Sequence, residues 1–183
     1  MSTEPLRVAV IVGSTREGRV GDTVARWFAD HASGRPELEV TVVDLADYAF
    51  PARYPRCPDP VMREFAAAVG RADAFVVVTP EYNRSFPASL KQAIDCAYDE
   101  WRAKPVGFVS YGSGSDGVFA VEQLRTVFTE LHAMTVRDGV GIDLMTCTRA
   151  RDEHLRAAEA MLDQLTWWAL ALREARAARP YVS

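Results

Sequence analysis

The chain has few cysteines and no long hydrophobic run. Its three cysteines, Cys57, Cys96 and Cys147, form no CxxC pair and have no histidine nearby at metal-ligand spacing. We therefore expect reduced thiols rather than a disulfide framework or a metal site. No apolar run approaches the roughly 20 residues that span a bilayer, and the amino terminus lacks the long apolar segment of a signal peptide. These absences predict a cytoplasmic protein with no membrane partner.

An excess of basic residues is also absent. The formal net charge is -4 with a pI near 5.4, and the lysines and arginines are dispersed along the sequence. A nucleic-acid groove needs a clustered basic face, so nucleic acid is not expected as a partner. The histidines, His31, His132 and His154, fall in helix-like stretches, which favours surface or helix-end roles over catalysis.

The sequence does contain a regular series of continuous apolar runs. Its length and 49% hydrophobic content allow one well-buried core but not two ordinary domains, so we expect one domain over residues 1–183 with a tail that frays from about residue 174. Apolar runs without alternation are typical of parallel strands covered on both faces. They lie at residues 8–12, 40–43, 75–78 and 106–109, and either 135–136 or 140–142 supplies a fifth strand.

Helical patterns separate these strands. They lie at about residues 21–33, 60–71, 87–98 and 117–132, and a last stripe of leucine and alanine follows at 155–172. Four prolines in residues 44–60 predict a long surface loop. Strands alternating with helices through right-handed crossovers predict an α/β fold, a three-layer sandwich around a five-stranded parallel sheet.

Three polar loops, at residues 13–21, 80–86 and 110–117, each follow a strand and lead into a helix. The carboxyl ends of parallel strands meet at one edge of a doubly wound sheet. We therefore expect the loops to converge there and to hold a phosphorylated planar cofactor.

The first loop, GSTREGRVG, offers hydroxyls, arginines and a helix amino terminus to a phosphate. It is not a Walker A loop, because Arg19 and Val20 stand where that motif has Lys and Ser or Thr. Its glycines are also too widely spaced for the dinucleotide fingerprint GxGxxG. An ordinary strand-to-helix turn, with Asp22 favoured by the helix dipole, is the alternative interpretation.

The second loop carries the most specific motif. TPEYNRSFPASLKQAID at residues 79–95 resembles a motif of the NADPH-dependent FMN reductases, in which PEYN precedes a small residue, a proline and LKxxID. The first loop is similar to that family's GSTRxGRxG phosphate loop, and SYGSGSDG at residues 110–117 resembles its third flavin loop. The resemblance covers about residues 8–142. Taken alone, PEYN also fits a polar turn before a helix.

The resemblance implies a flavodoxin-like fold with strand order 2-1-3-4-5 and FMN as the cofactor. It places around the phosphate and ribityl end Ser14, Arg16, Gly18, Arg19, Val20 and Gly21. It lines the isoalloxazine ring with Pro80, Glu81, Tyr82 and Asn83. It closes the other edge of the ring with Ser110, Tyr111, Gly112 and Ser113. The cofactor carries the reaction, so no catalytic side chain and no metal are expected.

The resemblance further implies an enzyme that takes a hydride from NADPH onto FMN and passes it to an acceptor in a ping-pong cycle. The favoured role is supply of reduced FMN to a flavin-dependent monooxygenase, and the family resembled is usually dimeric or tetrameric. One alternative is reduction of quinones, azo dyes or metal oxyanions with tightly held FMN. Another is a noncatalytic flavodoxin-like electron carrier.

Two departures from the family's pattern bear on access to the flavin. Arg84 stands where the family often has a small residue, commonly glycine, and Ser113, Ser115 and Asp116 stand in a loop that the family makes glycine-rich. Arg16, Arg19 and Arg84 are the candidates for binding the 2'-phosphate of NADPH. The expected roles of Trp101, Trp167 and Trp168 are in the core or at a subunit contact.

Overall fold

The computed structural model describes residues 4–146 and 152–182, so Cys147 lies outside the described residues. The strands are β1 (Leu6–Val12), β2 (Leu38–Asp44), β3 (Ala74–Pro80), β4 (Pro105–Gly112), β5 (Met134–Thr135) and β6 (Val140–Asp143). The helices are α1 (Gly21–Ala32), α2 (Pro60–Arg71), α3 (Ala88–Asp95), α4 (Val118–Glu130) and α5 (Asp152–Ala178), with 3-10 helices at Leu45–Asp47 and Asp99–Trp101. No helix within these described ranges is long and apolar enough to cross a membrane.

The strands form one parallel sheet in the order β2-β1-β3-β4-β5, which confirms the predicted 2-1-3-4-5 order. The fifth position is shared by two short strands, because β5 pairs with the beginning of β4 and β6 pairs with its end. Both segments that the sequence offered for the last strand therefore lie beside β4. Between them, Asp138 is held by α5, since its N–H donates to Gln164 Oε1 at 3.2 Å and its carboxylate accepts from Gln164 Nε2 at 2.6 Å.

Helices cover both faces of the sheet, which confirms the three-layer sandwich. All seven residues of β3 are buried, because helices pack on the strand from both sides. Helices α1 and α5 bury Phe28 and Leu162 against one face. Helices α2 and α4 bury Phe65 and Phe128 against the other. Complete burial of a side chain of this size stabilises the fold by about 1.5–3 kcal/mol.

Helix α3 ends earlier than the sequence predicts, and the chain after it carries Trp101 into the core. The helix stops at Asp95 rather than near residue 98. Trp101 follows in a 3-10 helix, is fully buried, and packs edge-on against Phe75 at 4.6 Å between ring centroids. Its indole N–H donates to the carbonyl oxygen of Ile94 at 3.1 Å, so the buried polar group is satisfied.

The structure differs from the expected fraying at the tail, because α5 continues to Ala178. The guanidinium groups of Arg173 and Arg176 approach the carboxylate of Asp73 to 4.0 and 3.5 Å, and Arg176 also donates to the carbonyl oxygen of Ala103 at 2.5 Å. Burial opposes ionisation of Asp73, but hydrogen bonds from Arg7 more than offset it and lower the pKa of the Asp73 carboxyl. These contacts anchor the end of α5 at the amino edge of the sheet.

Candidate cofactor-binding site

Three loops meet at the carboxyl edge of the sheet, where β1, β3 and β4 end. Val12 lies beside Val78 in the ladder and Pro80 lies beside Tyr111, so these strands end side by side. We call residues 13–20 the first loop, residues 81–87 the second loop and residues 113–117 the third loop. The order of the strands thus explains why distant parts of the sequence come together.

Direct contacts confirm the predicted convergence. The guanidinium of Arg16 in the first loop lies over the Tyr82 ring of the second loop, 3.9 Å from its centroid. The Tyr111 hydroxyl at the end of β4 donates to Ser14 Oγ in the first loop at 3.1 Å. The Glu81 N–H of the second loop donates to the Tyr111 carbonyl oxygen at 2.8 Å.

The first loop presents a set of backbone donors. Among the described residues, no acceptor is found for the N–H groups of residues 15–18. Val20 is the N-cap of α1 and makes no side-chain capping bond, so the first turn of that helix also keeps free N–H groups. Gly18 has a φ of 66°, a left-handed conformation that favours glycine, and a Cβ there would meet no atom within 4 Å. This donor set suits a phosphate group.

Helix α1 begins in close contact with two buried hydroxyl groups. A Cβ on Gly21 would collide with Ser14 Oγ and would lie 2.6 Å from the Tyr111 hydroxyl, so only glycine fits there. Burial raises the pKa of Tyr111 to about 12, against a smaller opposing effect of its hydrogen bond to Ser14. Tyr111 therefore stays protonated and donates to Ser14, which leaves the Ser14 proton available to another acceptor.

Arg19 is paired within the protein rather than free. One guanidinium nitrogen lies 2.6 Å from Asp44 Oδ1 at the end of β2, the other bonds to Asp44 Oδ2, and a further bond reaches the Ser14 carbonyl oxygen. The hydrogen bond to Asp44 raises the pKa of Arg19. The structure therefore shows Arg19 fixing the shape of the first loop, whereas Arg16 has no carboxylate partner among the residues described.

The second loop turns tightly at residues 82–85. The backbone N–H and carbonyl groups of Tyr82 and Ser85 bond to each other at 2.7 and 3.0 Å. The two central residues, Asn83 and Arg84, have φ angles of 51° and 65°, which is the pattern of a type I' turn. Pro80 precedes the turn as the buried last residue of β3. The turn presents Tyr82 toward the first loop.

The third loop folds back over the end of β4. Ser110 Oγ donates to the Asp116 carbonyl oxygen at 2.6 Å. Gly117, with a φ of 79°, is the N-cap of α4, and a Cβ there would lie 2.6 Å from Ser110 Cβ. A Cβ on Gly112 would lie 2.8 Å from Ser115 Oγ, so this turn also leaves no room for a side chain. Ser113 is exposed at the tip.

Three residues that the sequence analysis did not assign hold these loops in place. Gln123 of α4 accepts from Ser85 Oγ and donates to the Arg84 carbonyl oxygen, both at 2.7 Å. Asp143 Oδ1 accepts from the Gly114 N–H at 2.9 Å, and this bond is the main reason that its pKa is lowered. The N–H of Phe119 donates to Glu81 Oε2 at 3.1 Å, so the Glu81 carboxylate caps α4. Gln123 lies within residues 8–142, the range that the resemblance covers, and this was its only sequence signal.

The cysteines and histidines of the described residues lie outside this arrangement. Cys96 is buried, which raises its thiol pKa to about 11, and Cys57 is exposed. His31 in the last turn of α1 lies 2.7 Å from Glu159, and His154 is buried in the first turn of α5. No group of three or more His, Cys, Asp or Glu side chains that could hold a metal ion was found in the described part of the chain.

Comparison with known proteins agrees with this geometry. The family model for NADPH-dependent FMN reductase matches residues 6–146. The NAD(P)H-dependent FMN reductase C4B3.06c of Schizosaccharomyces pombe is 37% identical over 130 residues, which cover 66% of this chain and 64% of that protein. A quinone reductase of Pseudomonas putida is 35% identical over 137 residues, which cover 69% of this chain and 73% of that protein. The chain thus spans less than two thirds of the length of the fission-yeast relative.

A solved structure shows the same fold. FerB, a flavoenzyme NAD(P)H:(acceptor) oxidoreductase from Paracoccus denitrificans, superposes with a TM-score of 0.71 at 21% identity, over 88% of this chain and 98% of that chain. The parallel sheet in the order 2-1-3-4-5, with helices on both faces, is flavodoxin-like. This chain therefore belongs to the NADPH-dependent FMN reductase family.

Proposed function

We propose that this protein is an NADPH-dependent FMN reductase that binds FMN across its three loops. The observation that carries the proposal is the set of backbone N–H groups in the first loop that have no acceptor among the described residues and lie beside Tyr82 and Tyr111. A phosphorylated planar cofactor has a phosphate group that these N–H groups can bind and a planar ring that can lie against aromatic side chains. Membership of the family supports the same assignment.

The first loop would hold the phosphate and ribityl end of FMN. Backbone amides of residues 15–18 and the first turn of α1 supply donors, and the helix dipole favours a negative charge there. Ser14 has a hydroxyl proton to donate, and the Arg16 guanidinium has no carboxylate to neutralise it in the described residues. Gly18 and Gly21 add no side chain that would fill this wall, and Val20 stands between them as the N-cap of α1.

The second and third loops would hold the isoalloxazine ring. Tyr82 provides an aromatic ring and Asn83 an exposed backbone on one side, the buried Pro80 fixes the backbone before them, and Glu81 holds this loop against α4. Ser110 and Gly112 support the third loop at the other edge, with Ser113 at its exposed tip. The residues position the ring and exclude water from one of its faces, which are the contributions a protein makes to cofactor chemistry.

When bound, FMN would supply the redox chemistry by taking a hydride from NADPH, which leaves as NADP+, and passing the two electrons with protons to an acceptor. The acceptor is free flavin in the favoured role, with a flavin-dependent monooxygenase as the recipient. Quinone reduction with tightly held FMN is the second candidate, because a P. putida relative in the same family is a quinone reductase. We also propose a cytoplasmic location, and a homodimer or homotetramer as the resemblance implies.

The proposal is tested by an anaerobic visible spectrum of the protein reconstituted with FMN, recorded before and after NADPH. Loss of the flavin absorbance at about 450 nm at a catalytic rate is the expected result. Bound FMN that NADPH does not reduce would favour an electron carrier instead, and failure to bind FMN would contradict the proposal altogether. Slow exchange of the bound FMN with free flavin would favour the quinone reductase.

A further inference from the structure

Arg84 lies at the edge of the proposed flavin site on a rigid support. Its guanidinium lies over the Phe119 ring of α4, 4.1 Å from the ring centroid. Its carbonyl oxygen accepts from Gln123 Nε2 at 2.7 Å, one turn further along the same helix. Arg84 follows Tyr82 and Asn83 directly in the turn, so its charge is fixed next to the residues that we propose line the ring.

The charge of Arg84 has no partner within the described chain. No carboxylate oxygen of the described residues lies within 4 Å of its guanidinium, whereas Arg19 in the first loop is paired with Asp44 at both nitrogens. Arg84 is exposed, and stacking on Phe119 occupies a face of the guanidinium and not its N–H edge. An ordered guanidinium with free edge donors is suited to a phosphate or a carboxylate.

The backbone conformation at position 84 is unfavourable for an arginine. Its φ of 65° lies in the left-handed region, where residues other than glycine, asparagine and aspartate are strained. Asn83, the other central residue of the turn, is of a type that tolerates this conformation. Glycine at position 84 would remove the strain and keep the turn. A strained residue next to a binding site indicates that its side chain is used.

We propose that Arg84 is the residue that selects an anionic substrate at this site, by binding an anionic group of the molecule that approaches the flavin. This proposal rests on the proposed function and deepens it. Two substrates have such a group: the reductant, through the 2'-phosphate that distinguishes NADPH from NADH, or the acceptor, through a carboxylate or sulfonate on a quinone. Arg84 is a binding residue in either case and takes no part in hydride transfer.

The first test compares Arg84→Gln with the unmodified protein, both loaded with FMN. We expect kcat/KM to fall about tenfold for the substrate that carries the anionic group in question and to stay unchanged for the counterpart that lacks it. The reductant arm compares NADPH with NADH, and the acceptor arm compares a quinone sulfonate with an unsubstituted quinone. Arg71→Gln is the matched control, since Arg71 is an exposed arginine at the end of α2, by the opposite edge of the sheet. Equal losses for the two substrates of each arm, with and without the added phosphate or sulfonate, would overturn the proposal.

A second test needs no turnover. Arg84→Gly is expected to raise the melting temperature by about 2 to 4 °C, because glycine relieves the strained φ. It should also weaken binding of 2',5'-ADP, the fragment of NADPH that carries the phosphate, if the reductant is the selected substrate. FMN affinity should stay unchanged in the same variant. The inference fails and the proposed function stands if NADPH reduces the bound FMN in the unmodified protein and in the Arg84 variants with the same preference over NADH, and if the comparison of quinones is also unchanged. If neither protein is reduced by NADPH, the proposed function fails.

Discussion

The two edges of the sheet differ in whether their polar groups have partners. At the amino edge, the Asp73 carboxylate is bonded to Arg7 and approached by Arg173 and Arg176. The buried Lys104 ammonium donates to the carbonyl oxygens of Val69 and Gly70 at 3.1 and 3.0 Å. Every charge in this network has a partner, as expected of groups whose role is to hold the fold together.

At the carboxyl edge, some polar groups are paired, such as Arg19 with Asp44, but others have no hydrogen-bond or ion-pair partner in the described chain. The amides of residues 15–18 have no acceptor there, and the guanidinium groups of Arg16 and Arg84 contact aromatic rings rather than carboxylates. Polar groups that remain unpartnered in an otherwise well-satisfied structure are suited to a ligand. We infer from this difference that the polar groups at the amino edge stabilise the fold and that those at the carboxyl edge bind a ligand. The variants below test these two roles separately.

The largest expected effect on stability is at Asp73. Asp73→Ala leaves the guanidinium groups around it without their carboxylate, and removing one partner of a buried ion pair destabilises a protein by about 3–5 kcal/mol. Only 5% of the Asp73 side chain is exposed, so water replaces the lost partner poorly. Urea unfolding measures the loss. FMN affinity of the variant that remains folded should match that of the unmodified protein, and a selective loss of FMN binding would contradict the separation of the edges.

At the other edge, Gly21→Ala should act mainly on the cofactor. The added Cβ would displace α1 from Ser14 and the Tyr111 hydroxyl, and we expect FMN to bind about a hundredfold more weakly, which corresponds to about 2.7 kcal/mol. A fluorescence titration with FMN measures this. Gly70→Ala in α2 is the control, because its Cβ would meet nothing closer than Glu100 Cγ at 3.4 Å. Equal FMN affinity in both variants would show that α1 does not approach the cofactor.

Lys104 gives the amino edge a pH dependence. Burial lowers its pKa from 10.5 to about 8, so between these values the unfolded chain binds more protons than the folded protein. Lys104 should therefore contribute a rise of about 2 kcal/mol to the free energy of unfolding between about pH 8 and about pH 10.5, measured relative to a protein that lacks this ammonium group. Lys104→Met should remove this rise when the two proteins are unfolded in urea across that range. Parallel pH profiles would show that the ammonium is not buried as described.

Much of this architecture could be predicted from local sequence patterns. The continuous apolar runs identified β1, β3 and β4, because a parallel strand covered on both faces needs no polar alternation, and they also located β2, which lies at the sheet edge and is only partly buried. The sequence offers two segments for the fifth strand and does not decide between them, because each is only two to four residues long. In the structure both pair with β4. The turn between them is held by a hydrogen bond from Asp138 to Gln164, which lies 26 residues further along the chain. Periodicity carries no information on such a contact.

The sequence predicts that the loops form one site, but it does not predict which of their side chains are paired within the protein. Motif and topology placed residues 13–21 next to residues 80–86, which the contact of Arg16 with Tyr82 bears out. Arg19 pairs with Asp44 at the end of β2, and no local pattern indicates this contact. The sequence therefore gives no reason to distinguish Arg19 from Arg16. The anchoring of Gln123 to the second loop likewise joins residues 38 and 39 positions apart. These contacts arise only when the sheet order is fixed.

The most direct test of the central claim compares the affinities of the unmodified protein for FMN and for riboflavin, which lacks the phosphate. Hydrogen bonds to a charged group contribute about 1.5–3 kcal/mol each. Two bonds from the first-loop amides therefore predict that FMN binds at least about a hundredfold more tightly. Fluorescence titration of both flavins under the same conditions gives the ratio. Equal affinities would contradict the account, because the backbone amides of residues 15–18 would then not hold the phosphate.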